Sequence, residues 1–459
     1  MTTPVTPPLE QLRAELLGGR VISDLDVIES YRRDRTTVVP AGMPCAVVEA
    51  HSVDHVVATL QWASRHHVPV VTRGAGTSLA GGATAIDGCV VLSLARMDAI
   101  LELAPEERLA VVEAGVITAH LDRAARAHGL MYAPDPSSYE ICTIGGNLAT
   151  NAGGLRCLKY GVTRDSVLGL NVVLANGQRL KTGHRTAKGV VGYDLTGLFV
   201  GSEGTLGVIT SATMRLRPAA PVAPVTLAAT FSSLSTAAEA VSSIVRTGVG
   251  PSLLELMDRA TLQAIESWKH IGVGSQTAAM LIAQCDGPDL TVAADQVAKL
   301  CRRAGAAEVV VSSDEAESAQ LLDIRRLAYP ATERLGACLV EDVCVPLPAL
   351  SMMIERIEAA SLVHGILIAT VAHAGDGNLH PVFIYPSSAA EPPPGVWAAA
   401  DEVFRAALAL GGTLTGEHGV GSLKRRWLGE ELGHDSLALH HTIKSALDPL
   451  GILNPGRAI

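Results

Sequence analysis

A chain of 459 residues with 48% hydrophobic content has the material for two or three domains with real cores. Its formal net charge is -10 and its densest basic run is the short "KRRW" from Lys424 to Trp427, which excludes a nucleic-acid-binding stripe. The opening "MTTPVTPPLEQLRAELLGGR" has no apolar core behind a basic start, and no window approaches the ~18 apolar residues of a membrane span, so neither a secretory signal nor a transmembrane helix is expected.

Eight cysteines, at 45, 89, 142, 157, 285, 301, 338 and 344, include no CxxC pair, which argues against an iron–sulfur or cysteine-type zinc framework. They are expected as buried thiols in a reducing cytosol, the protein being cytoplasmic or peripheral at the inner face of the membrane.

From residue 45 the pattern alternates. "CAVVEA" reads as a strand, "VDHVVATLQWASRHH" as a helix, "VPVVTRG", "GCVVLSL" and "RLAVVEAG" as strands, and "TAHLDRAARAHG" as a helix ended by Gly129. Three glycine-rich segments interrupt this first part: Arg73 to Gly82, "RGAGTSLAGG"; Thr143 to Gly154, "TIGGNLATNAGG"; and Gly201 to Thr210, "GSEGTLGVIT". Each is expected as a loop. The proline-rich piece Pro218 to Pro224 then predicts a connector.

Beyond it, "VTLAATF", "SLLELMD", "TAAMLIAQC" and "AAEVVVS" read as strands, with "STAAEAVSSIVRTG" and "LTVAADQVAKLCRRAG" as helices. A second round runs through "CLVEDVCVP", the helix "LPALSMMIERIEAASLVHG", the strands "ILIATVAH" and "LHPVFIY", and the helix "WAAADEVFRAALALGG". Two such rounds predict an antiparallel sheet with helices on one face. The last stretch is again rich in glycine and returns to the first domain. The expected division is 1–218, 219–411 and 412–459, within an α+β fold.

The first glycine-rich loop lets several backbone N–H groups converge on one anion, as a diphosphate requires. Its spacing matches neither GxGxxG nor GxxxxGK[ST]. Three loops of this kind in one domain imply one large cofactor, a dinucleotide.

"VAHAGDGNLHPVF", Val371 to Phe383, places His373 and His380 seven residues apart around a turn. A hairpin can aim both imidazoles at one point, and "TGEHGVG" offers Glu417 as a third ligand beside His418. Two histidines and a carboxylate with positions left open suit a catalytic Zn or an Fe facial triad. Histidines outside these motifs, such as His128 and His434, are expected to be structural.

"PVVTRGAGTSLAGG", "PDPSSYEICTIGGNLATNAGG", "GVTRDSVLGLNVVLANG", "GSEGTLGVIT", "HAGDGNLH", "GEHGVG" and "LDPLGILNPGR" together resemble the FAD-dependent D-2-hydroxyacid dehydrogenases of the vanillyl-alcohol-oxidase superfamily. That group includes D-lactate dehydrogenase, the glycolate oxidase D subunit and D-2-hydroxyglutarate dehydrogenase. The resemblance implies a two-lobed FAD-binding domain of the PCMH type with a substrate or cap domain. It puts the diphosphate on Arg73, Gly74, Gly76, Thr77 and Ser78. Pro134, Asp135, Thr143, Gly146, Asn147, Thr150, Asn151 and Gly154 would flank flavin and ribityl, Glu203, Gly207 and Ile209 would close the adenine side, and Asn454 would sit near the isoalloxazine.

By the same match His373, His380 and Glu417 ligate a divalent metal (Zn, with Mn or Fe as the other candidates), His418 is the base, Asn378 sits near flavin and substrate, and Arg325 binds the carboxylate. Arg326 and Arg334 are the other arginines of that stretch. The first loop has no histidine for a covalent flavin link, so dissociable FAD is expected. Hydroxyglutarate-specific members carry polar partners where this chain has Tyr329, Val340 and Val382, which favours D-lactate, glycolate or a larger apolar 2-hydroxyacid. The implied reaction passes hydride from the α-carbon to flavin N5 and then electrons to a quinone, electron-transfer flavoprotein, cytochrome or iron–sulfur subunit. An oxidase using dioxygen, a metallohydrolase built on the His/His/Glu group, and a non-catalytic flavin-binding subunit are the competing readings. Oligomeric state is left open.

Overall fold

The computed structural model describes residues 7–186 and 188–459. Residues 1–6, the start of the stretch read as lacking a leader, lie outside the described residues. The chain divides into two compact units. One comprises the N-terminal part through Gly153 with Val162–Ala219 and Glu417–Ile459; the other comprises Gly154–Gly161 and Ala220–Gly416.

The first unit contains two main sheets. Strands Ala46–Glu49, Val90–Ser93 and Val70–Arg73 run parallel, with Arg20–Ile22 antiparallel at the edge. Helix Val53–His66 packs on them. Its N-cap Ser52 accepts the His55 N–H, and His67 closes it in the left-handed region at φ 53°. Strands Ile100–Ala104, Leu109–Glu113, Val208–Arg215, Val167–Val173 and Arg179–Gly183 make a five-stranded antiparallel sheet. Helices Thr118–Arg126 and Ile144–Thr150 share its core through Leu121, Ile144 and Leu148.

The second unit is built on an eight-stranded antiparallel sheet, whose central strands include Val225–Phe231, Ala279–Cys285, Leu253–Asp258, Leu367–His373 and Asn378–Tyr385. Every residue of Leu253–Asp258 and of Asn378–Tyr385 is buried, so both sheet faces are covered. Leu262, Ile265, Leu321 and Leu322, from helices Arg259–Lys269 and Glu315–Arg326, cover one face with Leu253, Met257 and Ile282. Helices Leu234–Arg246 and Leu290–Arg303 also lie against the sheet, and the alternate residues Leu227, Leu254, Leu256 and Leu281 are buried. The antiparallel sheet with helices packed against it is the expected one. Near-continuous apolar strands such as "AMLIAQC" carry that two-sided burial.

Candidate functional site

In the first unit the chain leaves strand Val70–Arg73 and turns through Gly74 to Gly82. Gly76 and Gly81 take φ of +72° and +76°, a region that favours glycine. The Arg73 guanidinium lies beneath this turn, where any side chain at Gly76 would strike it. Its Nη1 donates to the Arg33 carbonyl at 2.8 Å. Burial draws the Arg73 pKa below its usual range, against the pull of Asp34 and Tyr31.

The second glycine-rich segment is a short helix, Ile144–Thr150, and not the loop its composition predicts. Thr143 caps it by accepting the Gly146 N–H at 3.2 Å. The glycines serve close approach: Gly145 donates to the Ala114 carbonyl at 2.7 Å. A Cβ on Gly145 would crowd that same carbonyl. Asn147 Nδ2 donates to Thr118 Oγ1 at 2.9 Å, and Asn151, in the left-handed region at φ 51°, accepts the Arg164 N–H at 2.9 Å. Both amides therefore brace the frame.

The third loop hangs from that helix, with Glu203 N donating to the Ala149 carbonyl at 2.8 Å. The Glu203 carboxylate is buried and accepts the Val420 and Gly421 N–H groups at 2.8 and 2.7 Å. Burial pushes its pKa up to about 7, although both N–H bonds, Lys424 and Arg457 oppose the rise. Asn454 accepts the Thr72 N–H at 3.0 Å and donates to the Glu203 carbonyl at 2.6 Å, tying the C-terminal segment to the first and third loops.

These segments enclose one cleft with about 1210 Å³ of empty space, its open mouth included. Gly74, Gly76, Thr77, Ser78, Thr143, Gly146, Asn147, Thr150, Glu203, Gly207, Ile209 and Asn454 line it, and so do Glu417 and His418. Arg73, Pro134, Asp135, Asn151 and Gly154 are not among its lining residues; Pro136, Ser137 and Ser138 are. The cleft has the size and the glycine cradle that FAD needs.

In the second unit, strands Leu367–His373 and Asn378–Tyr385 form the expected hairpin, with Val371 opposite His380 and His373 opposite Asn378. His373 and His380 are therefore diagonal neighbours on one sheet face, with ring centroids 4.9 Å apart. His373 Nδ1 lies 2.7 Å from Glu255 Oε1, and Glu255 stands directly across from it on strand Leu253–Asp258. Glu255 is fully buried, and its Oε2 accepts Arg325 Nε at 2.7 Å. Burial acts to raise the Glu255 carboxyl, but His373 and Arg325 outweigh it and hold the pKa below the ordinary carboxylate range.

Asp342 accepts the Thr415 hydroxyl at 2.9 Å and the Gly416 N–H at 2.7 Å, fixing the chain one residue before Glu417. Gly416 sits against the Asn378 amide, where a Cβ would collide. Asn378 Oδ1 is buried with no hydrogen-bond partner among the described residues. His373 and His380 offer two imidazoles from one sheet face, and Glu417 follows directly on the Gly416 that Asp342 holds. That donor set suits a divalent cation.

Glu255 and Asp342 were not singled out in the sequence. Their visible signal is acidity inside an otherwise apolar run: Glu255 in "LLELM", and Asp342 with Glu341 in "CLVEDVCV".

Residues 220–458 match the C-terminal domain of FAD linked oxidases, and residues 44–183 match an FAD binding domain. The chain is 41% identical over 96% of its length, and 92% of the relative's, to glycolate oxidase subunit GlcD of Bacillus subtilis. It is 36% identical over 96% of its length, and 98% of the relative's, to D-lactate dehydrogenase of Archaeoglobus fulgidus. Among solved structures, p-cresol methylhydroxylase with substrate bound superposes with TM-score 0.82 at 19% identity, covering 98% of this chain and 96% of that one. That likeness establishes the α+β flavoenzyme fold.

Proposed function

The chain belongs to the FAD-linked oxidases and is an FAD-dependent oxidoreductase; from that premise we propose that it oxidises a small D-2-hydroxyacid, D-lactate or glycolate, to the 2-oxoacid with the help of a divalent cation. The paired imidazoles of His373 and His380, with ring centroids 4.9 Å apart and His373 backed by the buried Glu255, carry this reading. Near-full-length relatives named glycolate oxidase subunit and D-lactate dehydrogenase support the substrate class.

FAD bound in the glycine-lined cleft supplies a two-electron acceptor for the hydride that leaves the α-carbon. A cation on the three ligands supplies Lewis acidity to the substrate hydroxyl, of the kind that takes bound water from a pKa of ~15.7 to ~7. His418 then takes the hydroxyl proton as the general base. Arg325 pairs with the substrate carboxylate through the part of its guanidinium not given to Glu255. Asn378, whose buried Oδ1 has no hydrogen-bond partner among the described residues, orients the substrate. The balance is one proton, taken by His418, and one hydride, whose two electrons FAD would accept and pass to a quinone, flavoprotein, cytochrome or iron–sulfur subunit.

Val382 lies two residues beyond His380 on the same strand face and pairs across to Val340. With Ala369 and Ile384 they form an apolar cluster. A second substrate carboxylate would find no counter-charge there, which favours the small acids.

Anaerobic addition of D-lactate or glycolate to the yellow protein should bleach the flavin, while L-lactate and D-2-hydroxyglutarate leave it oxidised. A flavin that no 2-hydroxyacid reduces overturns the proposal.

A further inference from the structure

Glu255 joins two groups assigned different tasks. Its Oε1 faces His373 Nδ1 and its Oε2 faces Arg325 Nε, both at 2.7 Å. It has no solvent exposure, and the arginine side chain is 15% exposed. These partners lie 118 and 70 residues from it in the chain, so the contact is a product of the fold.

We propose that Glu255 is a positioning residue that fixes the His373 tautomer, so that Nε2 faces the cation, and at the same time holds the Arg325 guanidinium for the substrate carboxylate. The inference rests on the metal-assisted reading of the site. An ionised carboxylate only accepts, so the imidazole must carry its proton on Nδ1 and present the lone pair of Nε2. A carboxylate behind a ligating histidine also makes it a better donor. The same charge holds Arg325 through Nε, leaving its two Nη groups in a fixed plane for a bidentate partner. Glu255 thus ties the cation's grip and the acid's orientation to one rigid strand.

Glu255→Gln preserves shape and reverses the logic. An amide NH₂ can donate to Nδ1 and favour the other tautomer, and it no longer neutralises the arginine. FAD-loaded, metal-stripped full-length protein is titrated with Mn²⁺, free ion being read by electron paramagnetic resonance. Glu255→Gln should raise the Mn²⁺ Kd about 10–100-fold, and Glu255→Asp should recover part of the loss, with FAD content equal in all three. KM for the hydroxyacid should rise in Glu255→Gln after saturation with metal, which a role confined to folding would not produce. Equal Mn²⁺ affinity in wild type and Glu255→Gln overturns the inference alone; a wild type that binds no Mn²⁺ sinks the metal reading with it. Should Glu255→Gln fail to fold, the wild-type proton spectrum decides. A far-downfield imidazole N–H lost in His373→Ala supports the tautomer, and its absence refutes it.

Discussion

Gly74→Ala should weaken FAD binding, and adding Thr143→Ala should cancel most of that defect. A Cβ on Gly74 would overlap Thr143 Oγ1, whereas Thr143 Cβ and Cγ2 would stand at 3.5 and 3.7 Å, ordinary contact distances. The cheapest relief is rotation about the Thr143 side chain, which carries Oγ1 away from the Gly146 N–H it holds at 3.2 Å. Losing an N-cap costs about 1 kcal/mol, and an off-rotamer side chain of order 0.5–1.5 kcal/mol. Gly74→Ala should therefore cost about 2 kcal/mol, roughly 30-fold in Kd for a cofactor that touches both residues. Thr143→Ala forfeits the cap alone, about 1 kcal/mol or roughly 5-fold. With no Oγ1 left to displace, the double variant should match Thr143→Ala and not the sum of the two. Quenching of flavin fluorescence as apoprotein is titrated measures all four Kd values. A Gly74→Ala penalty of the same size in both backgrounds would refute the steric account.

Two further predictions concern ionisable groups. His418→Ala should slow anaerobic flavin reduction on the order of 10²–10⁴-fold while FAD stays bound, followed as flavin absorbance after rapid mixing with D-lactate. A rate near wild type removes His418 from the role of base. For Glu203, burial lifts the folded pKa to about 7, above the usual carboxylate value. The native state thus prefers the protonated form, so this group's stability is fully present below its unfolded pKa and is lost as pH rises through 7. A gap of this size is worth roughly 3 kcal/mol between pH 4 and pH 8. Asp258, raised to about 6 by burial, acts with the same sign and is retained in a Glu203→Gln variant. Urea midpoints should consequently fall less between pH 5 and pH 8 in Glu203→Gln than in wild type, and parallel slopes would exclude the Glu203 contribution.

Much of the site was legible because its chemistry sits in short local patterns. The hairpin that pairs Val371 with His380 is written in two apolar runs around Ala374–Gly377, and the alternation puts both histidines on one face. The first glycine loop could be read from strand "VPVV" and four glycines in ten residues. The helix Ile144–Thr150 could not, since two glycines each cost about 1 kcal/mol of helix propensity and mask the Thr143 cap. Only the approach of Ala114, 31 residues upstream, explains why Gly145 is needed there. Arg73 shows the converse limit. A basic residue beside a glycine turn invites the reading of a phosphate ligand, yet its guanidinium folds back under the turn onto the Arg33 carbonyl.

The least legible feature is a device common to both units. Glu203, Glu255, Asp258 and Asp342 are all buried, and in each both carboxylate oxygens accept hydrogen bonds. Glu203 holds Val420–Gly421 just beyond His418, Asp342 holds Thr415–Gly416 just before Glu417, and Glu255 holds His373. A buried carboxylate without partners costs several kcal/mol, so each is tolerable only where donors meet both oxygens. The segment Thr415–Gly421 has no helix or ladder of its own to fix it, and these acids supply what regular structure would. A buried acid outside the strands, as at Glu203 and Asp342, therefore marks where an irregular, ligand-bearing segment docks. Its amide isostere should disturb the docked segment more than the core around it, because shape is kept while one acceptor becomes a donor.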